Sequence, residues 1–417
     1  MKKENKNLKL FPKYRRISRD FLFFYTINVL FLTQIKKIDI SDVVLVDTFY
    51  SLFVVIAQVP ATTLIEKIGR KKSMILGNFL NAIYLFLVIN ASNLFNLIIA
   101  EITCAMAFAL KDVAEHAILN ESITFEKEEK SKIFSKIQGK AISGYYILSA
   151  VSMIFSGFLY EINGYIPITI SLIIVIIALI ISTKFEEPPR VTKEEKIEDQ
   201  NLKEIVEFVF KSNRCKSLLL FSAIFYGIFT VLATYEVSLL EELEVSSKYI
   251  GIIFALLNIV SAFSSGAEKI FQEKFKNRTL SVLGICLTLS CLFSGLASYC
   301  RIPIPVAVLI IIVLYMIKYM SVGLYNVLYI KYLSNFTNSK IDTKIFAINS
   351  FLGATFSIIF GVIASALVRF MPTNKSMVLF GALSFLIIIF TLKYMKKRVG
   401  LKPEEYSEIE LKYDSRV

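Results

Sequence analysis

The sequence predicts an all-α polytopic membrane protein, with twelve transmembrane helices in two similar six-helix bundles. Three observations predict it. Of the 417 residues 55% are hydrophobic and 19% charged, with a mean hydropathy of +0.61, which is more apolar surface than a water-soluble interior hides and what a bilayer accepts on every outward face. The apolar residues gather into runs of roughly 20, the length that crosses the hydrocarbon as a helix. The basic residues collect in alternate breaks between those runs.

The runs lie at 18–35, 43–64, 73–90, 94–118, 138–160, 165–184, 217–240, 249–267, 280–299, 304–329, 345–368 and 376–394. The first follows a basic segment, as a signal peptide would, yet no small-residue cleavage site follows Phe31, so it reads as a retained span. Seven basic residues precede it, and Arg19 lies just inside its start. Of the 47 Lys and Arg, only Lys36, Lys37, Lys248, Arg301, Arg369 and Lys375 fall on outer loops, while Lys111, Lys140 and Lys318 lie inside spans. The rest are inner, which sets both termini in the cytoplasm by the positive-inside rule and explains the formal charge of +13 without a nucleic-acid partner. The longest polar break opens with Pro188 and Pro189, runs through Lys193 to Lys196, and ends in Leu202, Ile205, Val206, Val209 and Phe210 at helical spacing. It is expected to lay an amphipathic helix on the cytoplasmic face. It divides the chain into a first bundle (1–184), a linker (185–213) and a second bundle with its tail (214–417).

Little in the chain points to enzyme chemistry. Cys104, Cys215, Cys286, Cys291 and Cys300 are scattered without paired spacing, and His116 is the one histidine, too few nitrogens for a zinc or haem site. No glycine-rich phosphate loop follows a strand, so neither a cofactor nor an ATPase of its own is expected.

Two coincidences point to duplication. The break after the second run reads Glu66-Lys67-Ile68-Gly69-Arg70-Lys71-Lys72, and the one after the eighth reads Glu273-Lys274-Phe275-Lys276-Asn277-Arg278. The separation that carries Glu66 to Glu273 also carries Lys111, a charge inside the fourth span, to Lys318, a charge inside the tenth. Parallel repeats of this kind build many secondary carriers.

The stretch Thr62 to Met74 resembles the loop signature of the major facilitator superfamily, Gly-x-Leu-Ala-Asp-Arg-x-Gly-Arg-Arg/Lys. Leu64, Gly69, Arg70 and Lys71 match it, Glu66 and Lys67 replace Asp and Arg, and Thr62 stands where the first glycine belongs. Glu115 to Ile123 is similar to a Glu-Glu-Ala-Leu-Leu-Tyr-Asp-Ser-Leu stretch closing the fourth span of some bacterial members. The resemblance implies alternating access, with Glu66, Gly69, Arg70 and Lys71 forming a conformational latch; the competing reading is a basic loop that only fixes topology. It also implies that the first, fourth, seventh and tenth spans line a central cavity, with Lys111 and Lys318 across from one another. The chain departs from many proton-linked drug exporters in lacking an arginine in the fourth span and a Gly-Pro pair in the fifth.

Charges inside a membrane cost several kcal/mol and mark candidate sites. On the fourth span Glu101, Phe108, Lys111 and Glu115 share one helical face, and on the tenth Tyr315, Lys318, Val322, Tyr325 and Tyr329 do the same. Two readings stand open. In one, the lysines bind an organic anion, with Tyr315, Tyr325, Asn28 and Tyr226 completing the pocket and Glu115 beside it. In the other, Lys111 pairs with Glu115 one turn on, while Lys318 snorkels or meets an acid of another span. Asp112 and Glu115, then Glu101, Asp47 and Glu236, are the candidates for carrying a proton, the last two near enough to the outer surface to be hydrated instead, and structural ion pairing is the competing reading for each. On the eleventh span Gly353, Ser357, Gly361 and Ser365 form a small-residue stripe expected to pack or slide between the halves.

The expected function is secondary active transport of a small organic solute, coupled to protons, in a bacterial cytoplasmic membrane by a monomer, with export of a drug or metabolite as its direction. The abundance of Lys, Ile, Asn and Phe suggests the bacterial source. Two alternatives remain: a carrier of an organic anion held by Lys111 and Lys318, and a membrane sensor or assembly partner that keeps the carrier fold without transporting.

Overall fold

The computed structural model describes residues 6–123, 127–188, 213–275, 278–300, 302–336 and 342–395. The described residues form helices and short connections with no strand. Among the described residues eleven continuous helices are long and apolar enough to cross a membrane, and the twelfth crossing is a broken segment ahead of them. That segment consists of α1 (Lys6–Ser18), α2 (Leu22–Tyr25), α3 (Asn28–Leu30) and a π-helical turn (Phe31–Ile35). The expected span at 18–35 therefore starts inside the break, because its hydropathy window discards the charged first half. Phe11 and Tyr14 of α1 are 2% and 0% exposed in the core, so Arg15, Arg16 and Arg19 belong to the bundle and not to a solvated leader.

The helices that follow are α4 (Ile40–Ile68), α5 (Arg70–Asn90), α6 (Leu94–Glu121), α7 (Lys127–Ile162) and α8 (Ile166–Thr183). Gly69 separates α4 from α5 with φ +94, a backbone conformation that side chains with a Cβ resist. Asn93 starts α6 by accepting a hydrogen bond from the Asn96 amide at 3.0 Å. Beyond the linker come α9 (Asn213–Glu242), α10 (Ser247–Gly266), α11 (Glu268–Phe275), α12 (Thr279–Tyr299), α13 (Ile304–Phe336), α14 (Asp342–Phe370) and α15 (Thr373–Met395). The expected surface helix at 202–210 lies outside the described residues.

Two compact units emerge, Met1–Glu195 with Ser246–Ala255, and Lys196–Val245 with Leu256–Val417. In the first, α6 packs on α4 and α5, and α1 on α7. In the second, α9 packs on α14, and α12 on α13 and α15. The small-residue stripe of α14 is used within this unit. Gly353 lies against the Tyr226 ring, Thr230 donates to Ser357 Oγ at 3.0 Å, and Tyr235 donates to the Ala364 carbonyl at 2.7 Å. Small residues let the α9 backbone approach and bond there.

Candidate functional site

In the first unit the break after α1 gathers most of the intramembrane charge. Ending a helix inside a membrane leaves backbone groups that water cannot reach, so side chains must satisfy them. Asp20 Oδ1 accepts from the Phe21 amide at 2.8 Å, and the Lys111 ammonium donates to the Ser18 carbonyl. Lys111 is 1% exposed and sits 4.4 Å from the Phe108 ring centre. It is a cap for the first span and forms no pair with Glu115.

Glu115 meets other partners. Arg15 donates to its Oε2, Tyr14 to its Oε1 at 2.6 Å and Ser18 to the same oxygen at 3.4 Å. Asn78 of α5 donates to the Tyr14 hydroxyl at 2.7 Å and so fixes the ring. Both terminal nitrogens of Arg15 also reach Asp112 Oδ1 at 3.2 Å. One guanidinium thus serves two carboxylates of unlike surroundings, with Glu115 2% and Asp112 58% exposed at the side chain. The α-helical step from 112 to 115 places both acids on the α1 side of α6.

Asp112 also lines a cavity of about 240 Å³ between α4 and α6, with Tyr50, Gln58, Thr62, Phe108 and Val113 among its walls. It is the charged group of that lining; Lys111 is absent from it. Glu101 is buried farther along α6, beside Tyr84 and Asp47. Asn28 lies in the broken first span, and its side-chain oxygen has no partner among the described residues.

The loop after α4 is organised by acids other than Glu66, which is exposed. Glu187 accepts from the Arg70 and Lys71 amides at 2.7 and 2.8 Å, capping the N-terminus of α5, where the helix dipole favours negative charge. The Arg70 side chain pairs with Glu121 at 2.9 Å. A Cβ at position 69 would stand 2.8 Å from Glu187 Oε1, so Gly69 supplies both the left-handed turn and the room for that carboxylate. Replacing Glu187 with Ala is expected to lower stability by about 1 kcal/mol, read as a lower unfolding midpoint in detergent.

In the second unit Lys318 Nζ lies 2.7 Å from Glu236 Oε1, and both side chains are 1% exposed. The ammonium also lies 4.9 Å from the Phe229 ring centre and 4.7 Å from that of Tyr319. Glu236 is therefore no hydrated surface acid; it is the partner that the tenth-span lysine needs. Tyr315, 1% exposed, reaches the Glu236 carbonyl at 3.4 Å, whereas Tyr325 stacks on Phe225 at 4.0 Å between ring centres. Tyr226 is 48% exposed on α9. Each predicted lysine thus has a protein partner within its own unit.

Arg15, Arg16, Arg19, Tyr14 and Asp20 were not among the expected site residues. The acids Asp112 and Glu115 on a membrane helix were the signal for them, since such acids require a cation nearby.

No curated protein matches this sequence. Solved structures do match the fold. A mutant of the nucleoside transporter NupG aligns with a TM-score of 0.75 at 12% identity, over 93% of this chain and 100% of that chain. A D-xylose-proton symporter aligns at 0.70 and 13%, over 95% and 100%. A POT family transporter in complex with 5-aminolevulinic acid aligns at 0.68 and 12%, over 94% and 96%. The sequence model of the Major Facilitator Superfamily matches residues 19–350, and with the two-unit arrangement of membrane-crossing helices this establishes that the chain belongs to that superfamily.

Proposed function

We propose that the protein exports a small organic solute bearing a cationic or hydrogen-bond-donating group, in exchange for protons across the bacterial cytoplasmic membrane, with both termini cytoplasmic. Membership of the family makes it a multi-pass transporter and not an enzyme. The observation that carries the finer reading is Arg15, held between the cavity carboxylate Asp112 and the buried carboxylate Glu115. A cationic solute at Asp112 competes with Arg15 for that carboxylate, and Glu115 then holds the guanidinium alone. A proton on Glu115 returns Arg15 to Asp112 and closes the carboxylate to the solute. Proton and solute thus oppose one another through one shared cation, and such coupling is reciprocal by thermodynamic necessity. A proton gradient directed inward then drives the solute outward.

The walls support the same class of solute. Tyr50, Phe108 and Val113 offer apolar and aromatic surface, and Gln58 and Asp112 offer hydrogen-bond acceptors. An organic anion held by Lys111 and Lys318 has less support, because one ammonium is committed to the Ser18 carbonyl and the other to Glu236. Proteoliposomes loaded with candidate amines test the proposal. Asp112→Asn is expected to remove about 1.5–3 kcal/mol of charged hydrogen bonding, raising the half-saturating concentration of a transported amine about 10- to 150-fold. An unchanged concentration dependence in that variant removes Asp112 from the site. Absence of saturable, gradient-driven movement for every solute class favours the sensor reading instead.

A further inference from the structure

The charge around the break in the first span does not balance. Four cations meet there, Arg15, Arg16, Arg19 and Lys111, against the carboxylates Asp20, Asp112 and Glu115. Arg15 takes Asp112 and Glu115, and Lys111 takes the Ser18 carbonyl. Asp20 accepts from Tyr145 at 3.1 Å and stands next to Arg19 in sequence. Arg19 itself lies flat against two rings of α7, with its Cζ 5.0 Å from the Tyr145 centroid and 5.9 Å from that of Tyr146. Arg16 is left over. Its Nε is buried without a hydrogen-bond partner, and no ion pair to it is formed among the described residues.

The fold nevertheless makes room for this guanidinium. Arg16 lies in the last turn of α1 and Arg19 in the bend just past its end, and both face α7, one at Gly144 and the other at the Tyr145 and Tyr146 rings. Opposite Arg16 stands Gly144 of α7, where a Cβ would fall 2.6 Å from the Arg16 Cζ and 2.7 Å from its Cδ. Only a glycine admits the side chain in that position. A guanidinium offers donors in a planar fork that matches a carboxylate or phosphate, and the buried Nε of Arg16 still lacks an acceptor.

We propose that Arg16 and Arg19, set against Gly144, Tyr145 and Tyr146, form a binding site for an oxyanion, a carboxylate or phosphate group carrying one or two negative charges. The Arg16 fork grips the oxyanion, Arg19 adds a second positive charge, and the half-exposed Tyr146 leaves the α7 side open to it. The site shares no lining residue with the Asp112 cavity and extends beyond the transport reading.

Inorganic phosphate and acetate are suitable probes, titrated into purified protein at constant ionic strength set with sodium chloride, with the thermal unfolding midpoint as readout. The wild-type midpoint is expected to rise saturably. The half-effective concentration is expected to increase about tenfold or more in Arg16→Gln, which loses the fork, and in Gly144→Ala, which keeps the charge but displaces it. Lys140→Gln, an exposed charge on the same helix, is expected to keep the wild-type response. Nanodiscs separate the two sources of such a group. If a lipid headgroup is the occupant, discs containing phosphatidylglycerol raise the wild-type midpoint and abolish the response to free phosphate, and neither effect occurs in Arg16→Gln. If a soluble anion is the occupant, the phosphate response is the same in discs with and without that lipid. An equal response of wild type and Arg16→Gln, or no response to phosphate, acetate or the anionic lipid, overturns the site. These measurements need no transport, so failure of the Asp112 proposal leaves them interpretable.

Discussion

Lys318→Met is expected to destabilise the protein by about 3–5 kcal/mol, the largest effect on stability anticipated for a single substitution here. The ammonium and the Glu236 carboxylate are each 1% exposed and lie 2.7 Å apart. Neither side chain can recruit water when its partner is lost, so the remaining carboxylate must take a proton or stay charged in a low-dielectric interior. The second Glu236 oxygen already lacks a partner, which leaves nothing to take up the released charge. The double variant Lys318→Met with Glu236→Leu is expected to recover most of the loss, because an apolar pair of similar volume avoids the desolvation of both ions. Unfolding midpoints of the two single variants and the double variant decide it. Additive losses in the double variant would mean that the two side chains act independently, against the pairing. Substrate transport measured in the double variant then tells whether the pair serves only packing, since a carrier that folds and still transports has no further need of it.

The sequence located these groups unevenly, and the reasons are physical. Lys111 and Lys318 were found by a repeated separation, and both are fully buried, because a charge inside an apolar run is legible without knowledge of its neighbours. Their partners were harder to see. Glu236 was placed near the outer surface from its distance to the end of the seventh span, whereas the 30-residue helix α9 keeps it within the core. The greatest loss was in α1. Hydropathy averaged over a span rejects the stretch Lys13 to Ile17, yet Phe11, Tyr14 and Ser18 recur at helical steps and all are buried. That periodicity, together with two acids on the fourth span in need of a counter-charge, was the available clue. The loop signature after α4 was recognised, but pattern matching favoured the nearby Glu66. The carboxylate that engages the loop, Glu187, is far along the chain, and only the folded chain brings it there.

The same network makes Glu115→Gln the most informative change for function. Gln keeps the volume and one acceptor for Tyr14, yet it carries no charge for Arg15 and takes up no proton. Arg15 is then left with Asp112 as its charged partner. Proton-driven transport is expected to fall about 100-fold, within the range that loss of a positioned proton-transfer group produces, and its remaining rate is expected not to respond to the proton gradient. Exchange of labelled for unlabelled solute at equal pH on both sides requires no net proton movement. It is therefore expected to survive, with a weaker apparent affinity because Asp112 is more firmly held. The pair of assays separates a coupling role from a structural one: a merely misfolded variant loses both activities together, and a variant that loses only the proton-driven step places the coupling at Glu115. Full proton-driven export in Glu115→Gln would show that protons enter the cycle elsewhere, and Glu101, buried beside Asp47 and Tyr84, would be the next carboxylate to replace.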